Sequence, residues 1–201
     1  MTVNLPLALV FARMLAVVPI VVLLNAGDER SATIAFATFS LAALTDAVDG
    51  RLARRLGQVT RLGTFLDPLA DKLLVVGTLI PLQGLGLVPA WVVVLVVGRE
   101  LAVTNLRAIA AARGYSVGAS IFGKVKTIFQ TLAAAGLLLL VAAPSLGLTY
   151  LAYSLLAAAV ALTVLSGLDY LGKASFAIAG RGVPDRWRIA PRDAAARDRA
   201  R

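Results

Sequence analysis

The chain has 201 residues, 59% of them hydrophobic and only 15% charged, with a formal net charge of +9 and a mean hydropathy of +0.85. That composition lies outside the range of soluble globular domains and points to one integral membrane domain. The absence of cysteine and histidine excludes disulfides, thiol nucleophiles, thiolate metal sites and the commonest general base.

The first apolar run, Leu5 to Leu24, has no cluster of positive charge ahead of it and no small-residue cleavage site, and Arg13 interrupts it. It reads as a retained helix rather than a leader. Further apolar runs follow at Ser31 to Leu56, Thr64 to Leu82, Pro89 to Arg113, Ile121 to Ala142 and Thr149 to Ala174. Each is about 20 residues or more, enough to cross a ~30 Å hydrocarbon core at about 1.5 Å per residue. The expectation is an all-α membrane protein, six transmembrane helices in one bundle over residues 1–175, with short connections that make neighbouring helices antiparallel. Residues 176–201 are rich in Arg, Ala and Asp without an apolar stripe, and are expected to form a basic tail, disordered or lying on anionic lipid.

Lys and Arg alternate along the connections. Arg51, Arg54, Arg55, Arg61 and Lys72 flank the second; Arg107, Arg113, Lys124 and Lys126 flank the fourth; seven arginines follow Gly180. The third and fifth connections carry no charge, and the first carries Asp28, Glu29 and Arg30. This pattern places both termini in the cytoplasm. Trp91, at the outer end of the fourth run, reads as an interfacial anchor. Apart from Trp187 between Arg186 and Arg188, aromatic residues interleaved with basic ones are absent, so nucleic acid is not an expected partner.

The stretch Thr45 to Lys72 departs from the apolar pattern. Asp46 and Asp49 are three apart and Asp67 and Asp71 four apart, so each pair shares a helix face. Asp46, Asp49, Gly50, Ala53 and Arg54 fall on an arc of roughly 140°. A short connection makes the two helices adjacent, which lets both pairs converge near the cytoplasmic side, while Gly50, Ala53 and Gly63 keep the converging face free of bulk. Four aspartates in a bilayer would cost on the order of 10 kcal/mol on the insertion scale. Ion pairs with nearby arginines return little of that once desolvation is counted. Two divalent cations would neutralise the carboxylates, and an oxygen-only donor set favours Mg²⁺ or Mn²⁺ over zinc. Such a pair can bridge a pyrophosphate and leave one carboxylate to take a proton from an attacking hydroxyl. Arg54 offers a fork of donors to a phosphate.

Read as D-x2-D-G-x2-A-R-x8-G-x3-D-x3-D from Asp46 to Asp71, the stretch resembles the signature of the CDP-alcohol phosphatidyltransferases at all eight specified positions. The resemblance implies that Asp46, Asp49 and Asp67 ligate two metal ions, and that Asp71 joins the metal site and acts as general base. It implies that Gly50, Ala53, Arg54 and Gly63, with Thr60, hold the CDP moiety, and that the protein is a homodimer. Further segments resemble the bacterial phosphatidylglycerophosphate synthases within that family: NLP at Asn4 to Pro6, LDPLADK at Leu66 to Lys72, Arg99–Glu100 with Arg107, and GKVKT at Gly123 to Thr127. The implied reaction transfers a phosphatidyl group from CDP-diacylglycerol to sn-glycerol 3-phosphate in phospholipid synthesis, on the cytoplasmic face of a bacterial inner membrane.

An acceptor carrying its own phosphate needs cations distinct from the metal site, and Arg99, Arg107, Lys124 and Lys126 are the candidates. Lys124 and Lys126 read equally well as topology anchors. The plainer expectation for Arg99 is a pair with a carboxylate from another helix, with Glu100 pointing elsewhere because adjacent helix residues do not face each other. Asp169 is expected to be structural. Three other functions compete. Cardiolipin synthases share much of the aspartate motif but use phosphatidylglycerol as acceptor. An intramembrane prenyltransferase would also use aspartate pairs, but would not explain Gly50, Ala53, Arg54 and Gly63. A divalent-cation transporter would place its site near the midplane between internal repeats, which this sequence does not display.

Overall fold

The computed structural model describes residues 5–55, 61–115 and 121–179, with the side chains of 5, 6, 47–55, 61, 64, 65 and 174–179 outside the description. Six helices occupy these residues: α1 Leu5–Ala26, α2 Glu29–Arg55, α3 Arg61–Gly84, α4 Ala90–Ala112, α5 Ile121–Ala142 and α6 Leu146–Ala179. Thr60 and most of the tail, residues 180–201, lie outside the described residues. The helix α6 continues past Ala174, where the apolar run ends, so residues 176–179 of the expected tail are helical.

Local chemistry sets the ends. Asp28 starts α2 by accepting hydrogen bonds from the Ser31 amide and the Ser31 hydroxyl, both at 2.7 Å. The amide bond is the larger influence in holding the Asp28 carboxyl below the usual carboxylate range, followed by the hydroxyl bond. Gly86, at φ 75°, closes α3, with Leu87 N donating to Leu82 O and Gly86 N to Gln83 O. Gly114, at φ 81°, closes α4 through Tyr115 N to Ala110 O and Gly114 N to Ala111 O. Both are Schellman closures, and the left-handed backbone they need favours glycine.

The chain forms two compact units, residues 1–97 with 127–160, and residues 98–126 with 161–201, so the division falls inside α4, α5 and α6. In the first unit, α1 packs on both α2 and α3, and these two touch each other far less among the described residues. Its core joins Ile20 and Leu24 of α1, Phe39 of α2, Leu79 and Leu82 of α3, and Leu137 and Leu138 of α5. Small residues permit the closest approaches: a Cβ on Gly77 would stand 2.3 Å from Val17 Cγ1, and one on Gly136 3.4 Å from the Ala152 Cβ. The second unit has a smaller apolar cluster of Val103, Ala110 and Tyr170, with Tyr115 packed on it.

Among the described residues, three helical segments are long and apolar enough to cross a membrane: Leu7–Ala26, Ile121–Ala142 and Leu146–Lys173. Large apolar side chains face outward on them, among them Leu15, Val18, Ile128, Leu151 and Leu168. Outward leucines and valines in such numbers suit lipid rather than water.

Candidate functional site

The first unit gathers carboxylates at one point. Asp46, from the later part of α2, and Asp67 and Asp71, from the start of α3, each offer an oxygen within 4.8 Å of the others. Helix periodicity places Asp67 and Asp71 on one face, as expected, and the structure brings Asp46 to them from the neighbouring helix. The side chains of Asp49, Gly50, Ala53 and Arg54 lie outside the described residues, as does Thr60. Gly63 is half-buried in the first turn of α3.

At the centre of the carboxylates stands Arg13, contributed by α1. Its Nη1 is 2.7 Å from Asp46 Oδ1, and donates to Asp67 Oδ1 at 3.2 Å and to Asp71 Oδ1 at 2.9 Å. Among the described residues one guanidinium faces three carboxylates, a formal excess of negative charge. At an effective dielectric of about 20, two unit charges ~4 Å apart interact by roughly 4 kcal/mol, so mutual repulsion of the aspartates is of the same size as each attraction to Arg13. A hard-oxygen donor set with excess negative charge fits a divalent cation such as Mg²⁺ or Mn²⁺. Sequence reasoning noted Arg13 as an interruption of the first helix and as following the NLP segment, and gave it no role in the site. An arginine inside an apolar helix is itself the signal, because it requires a carboxylate partner.

The second unit gathers cations. Lys126 is buried and Arg99 largely so, and both pair with Glu100: Arg99 Nη1 donates to Glu100 Oε1 at 3.0 Å, and Lys126 Nζ donates to the same oxygen. This corrects the expectation that Glu100 points away from Arg99. Adjacent helix residues leave the axis about 100° apart, but the long Arg and Glu side chains curve back to meet where both are withdrawn from solvent. The carboxylate that Arg99 meets comes from its own helix, and the pair between helices is Glu100 with Lys126.

The Tyr170 ring, which sequence reasoning did not single out, collects three cations. The Arg99 guanidinium lies 5.5 Å from its centroid, that of Arg107 6.0 Å, and Lys173 Nζ 5.9 Å. Arg99 and Arg107 thus come together as expected, and Lys124 is exposed on α5. Room for Arg99 comes from small neighbours: a Cβ on Gly167 would meet its Cγ at 3.5 Å, and one on Gly123 its Nη2 at 3.7 Å. The Nε and Nη2 atoms of Arg99 are buried and make no hydrogen bond among the described residues. Donors left in that state are available to an anion. Asp169 pairs with Lys173 at 2.6 Å, one turn along α6.

Residues 3–165 match the CDP-alcohol phosphatidyltransferase family. The CDP-diacylglycerol–glycerol-3-phosphate 3-phosphatidyltransferase of Bacillus subtilis is 41% identical over 189 residues, covering 85% of this chain and 94% of that protein. A Mycobacterium tuberculosis protein named "Probable phosphatidylglycerophosphate synthase" is 42% identical over 170 residues, covering 83% and 79%. The CDP-diacylglycerol–glycerol-3-phosphate 3-phosphatidyltransferase of Salmonella choleraesuis is 36% identical over 177 residues, covering 85% and 94%. A match over most of the chain, together with aspartates that meet as that family's signature leads one to expect, makes this protein a member of the CDP-alcohol phosphatidyltransferase family.

Proposed function

We propose that the protein transfers the phosphatidyl group of CDP-diacylglycerol to the 1-hydroxyl of sn-glycerol 3-phosphate, giving phosphatidylglycerophosphate and CMP. The observation that carries this reading is the convergence of Asp46, Asp67 and Asp71 from two helices, in a chain whose relatives are named for that reaction. In this reading Asp46, Asp49, Asp67 and Asp71 hold two divalent ions, Mg²⁺ or Mn²⁺. When bound, such ions neutralise a pyrophosphate and stabilise charge on a departing phosphate. Asp71 takes the proton of the acceptor hydroxyl as its oxygen forms a bond to the β-phosphorus. The bond from that phosphorus to the bridging oxygen breaks, and CMP leaves with the electron pair. Gly50, Ala53 and Gly63 leave backbone open to the CDP moiety, and Arg54 and Thr60 donate to it.

The acceptor brings a phosphate of its own, and Arg99, Arg107, Lys124 and Lys126 are proposed to bind it. The cations gathered around Tyr170 and Glu100 support that assignment. The alternation of basic connections supports six spans, both termini in the cytoplasm and a site that opens to the cytoplasmic face of a bacterial inner membrane. Anionic lipid would attract the basic tail. The family resemblance extends the proposal to a homodimer.

The test uses purified protein in detergent with CDP-diacylglycerol and Mg²⁺, following CMP release with glycerol 3-phosphate, phosphatidylglycerol, inositol 1-phosphate or serine as acceptor. Release with glycerol 3-phosphate alone is expected. Release with phosphatidylglycerol instead would keep the aspartate chemistry and replace the acceptor by that of cardiolipin synthesis.

A further inference from the structure

Arg13 is the buried member of the aspartate cluster. Its side chain is 0% exposed, whereas those of Asp46, Asp67 and Asp71 are 38%, 43% and 33% exposed. A single atom, Nη1, makes the ion pairs to these three aspartates, at 2.7, 3.2 and 2.9 Å. That atom stands among the three carboxylates that lie within ligating reach of one ion. A magnesium ion prefers oxygen ligands at about 2.1 Å, shorter than any of these contacts, so ion and Nη1 cannot share one centre.

We infer that Arg13 is the resident counter-cation of this site: its guanidinium stands between the carboxylates, where a divalent ion would bind, and it gives that position up when the ion binds. The inference rests on the reading of Asp46, Asp67 and Asp71 as ion ligands. Three carboxylates drawn within 4.8 Å would drive one another apart without a cation between them. Arginine suits the task because its charge is permanent and its head is a flat fork that several carboxylates can approach. An incoming ion therefore meets a full positive charge, which must move aside rather than lose a proton. Arg13 is accordingly a positioning residue that holds the three carboxylates together and weakens ion affinity. A plain structural brace would do the opposite, since removing it would loosen the ligands and weaken binding.

Mn²⁺ binding by the full chain in detergent, read from the electron paramagnetic resonance of free Mn²⁺, separates the two. Arg13→Met, similar in length and uncharged, is expected to bind Mn²⁺ about tenfold tighter or more than the wild type. Arg13→Lys keeps the charge and is expected to stay within about threefold of the wild type. The thermal midpoint of Arg13→Met should fall further between Mn²⁺ and EDTA than that of the wild type. Were Arg13→Met to unfold in EDTA, the Mn²⁺-loaded protein titrated with a competing chelator would yield the same affinity. Unchanged or weaker Mn²⁺ binding by Arg13→Met overturns the inference while leaving the ligand assignment standing. A wild type that binds no Mn²⁺ overturns the ligand assignment itself and the inference with it.

Discussion

Glu100 sits between two cations largely withdrawn from solvent and sets one negative charge against both. Its carboxylate has 14% exposure and pairs with Arg99 and Lys126, whose side chains are 9% and 3% exposed. Removing that charge would leave two like charges buried side by side, the situation in which one broken pair costs about 3 kcal/mol or more. If these cations bind the acceptor phosphate, Glu100 fixes where their remaining donors point. Glu100→Gln is therefore expected to raise the KM for glycerol 3-phosphate roughly tenfold, with little change in the KM for CDP-diacylglycerol. Steady-state kinetics with each substrate varied in turn would check it, and a shift confined to the CDP-diacylglycerol KM would contradict the assignment. The aspartates were legible in the sequence because spacings of three and four residues fix a shared helix face. The partners of Arg13 and Glu100 were not, because spacing along one helix says nothing of what another helix brings, nor of how a long side chain bends.

The helix α1 does more than span: it is the element on which α2 and α3 both pack. The short connection between α2 and α3 suggested that these two would meet directly. They do meet, with Asp46 of α2 beside Asp67 and Asp71 of α3, and α1 supplies Arg13 between these aspartates; an apolar helix gives no sign in its sequence of which neighbours it will take. The contact with α3 is tightest at Gly77, where a Cβ would stand 2.3 Å from Val17 Cγ1. Val17 is stiff about χ1 and cannot swing aside freely. Gly77→Ala is expected to destabilise the protein by about 1–3 kcal/mol through overpacking, in spite of the helix propensity that alanine adds. Adding Val17→Ala should restore much of the loss. Thermal unfolding of the two single variants and the double in one detergent would measure the coupling, and strictly additive effects would mean that this contact is not the cause. The positions of the helices themselves were readable, because uninterrupted apolar length and the glycines at 27, 86 and 114 mark where each run must stop.

At the scale of the whole chain, the helices that meet the length and apolarity of a membrane span are α1, α5 and α6, while α2, α3 and α4 carry Asp46, Asp67, Asp71, Arg99, Glu100 and Arg107. Those charges help to build the two clusters, to which α1 adds Arg13 and α5 adds Lys126, so the lower apolarity of α2, α3 and α4 is compatible with a place in the bilayer. Functional charges inside a membrane are tolerated where they face one another or a wet cavity. The connections then decide orientation: basic residues flank the second and fourth, and the third and fifth have none. The sequence holds no cysteine, so single cysteines can report topology without a background. In intact cells, Gln58→Cys and Ser116→Cys are expected to resist a membrane-impermeant maleimide until the membrane is opened. Leu85→Cys and Ala143→Cys are expected to react from outside at once. Six spans require this alternation at all four positions. If only α1, α5 and α6 crossed, residues 58, 85 and 116 would share one side, and Leu85→Cys would react together with Gln58→Cys and Ser116→Cys.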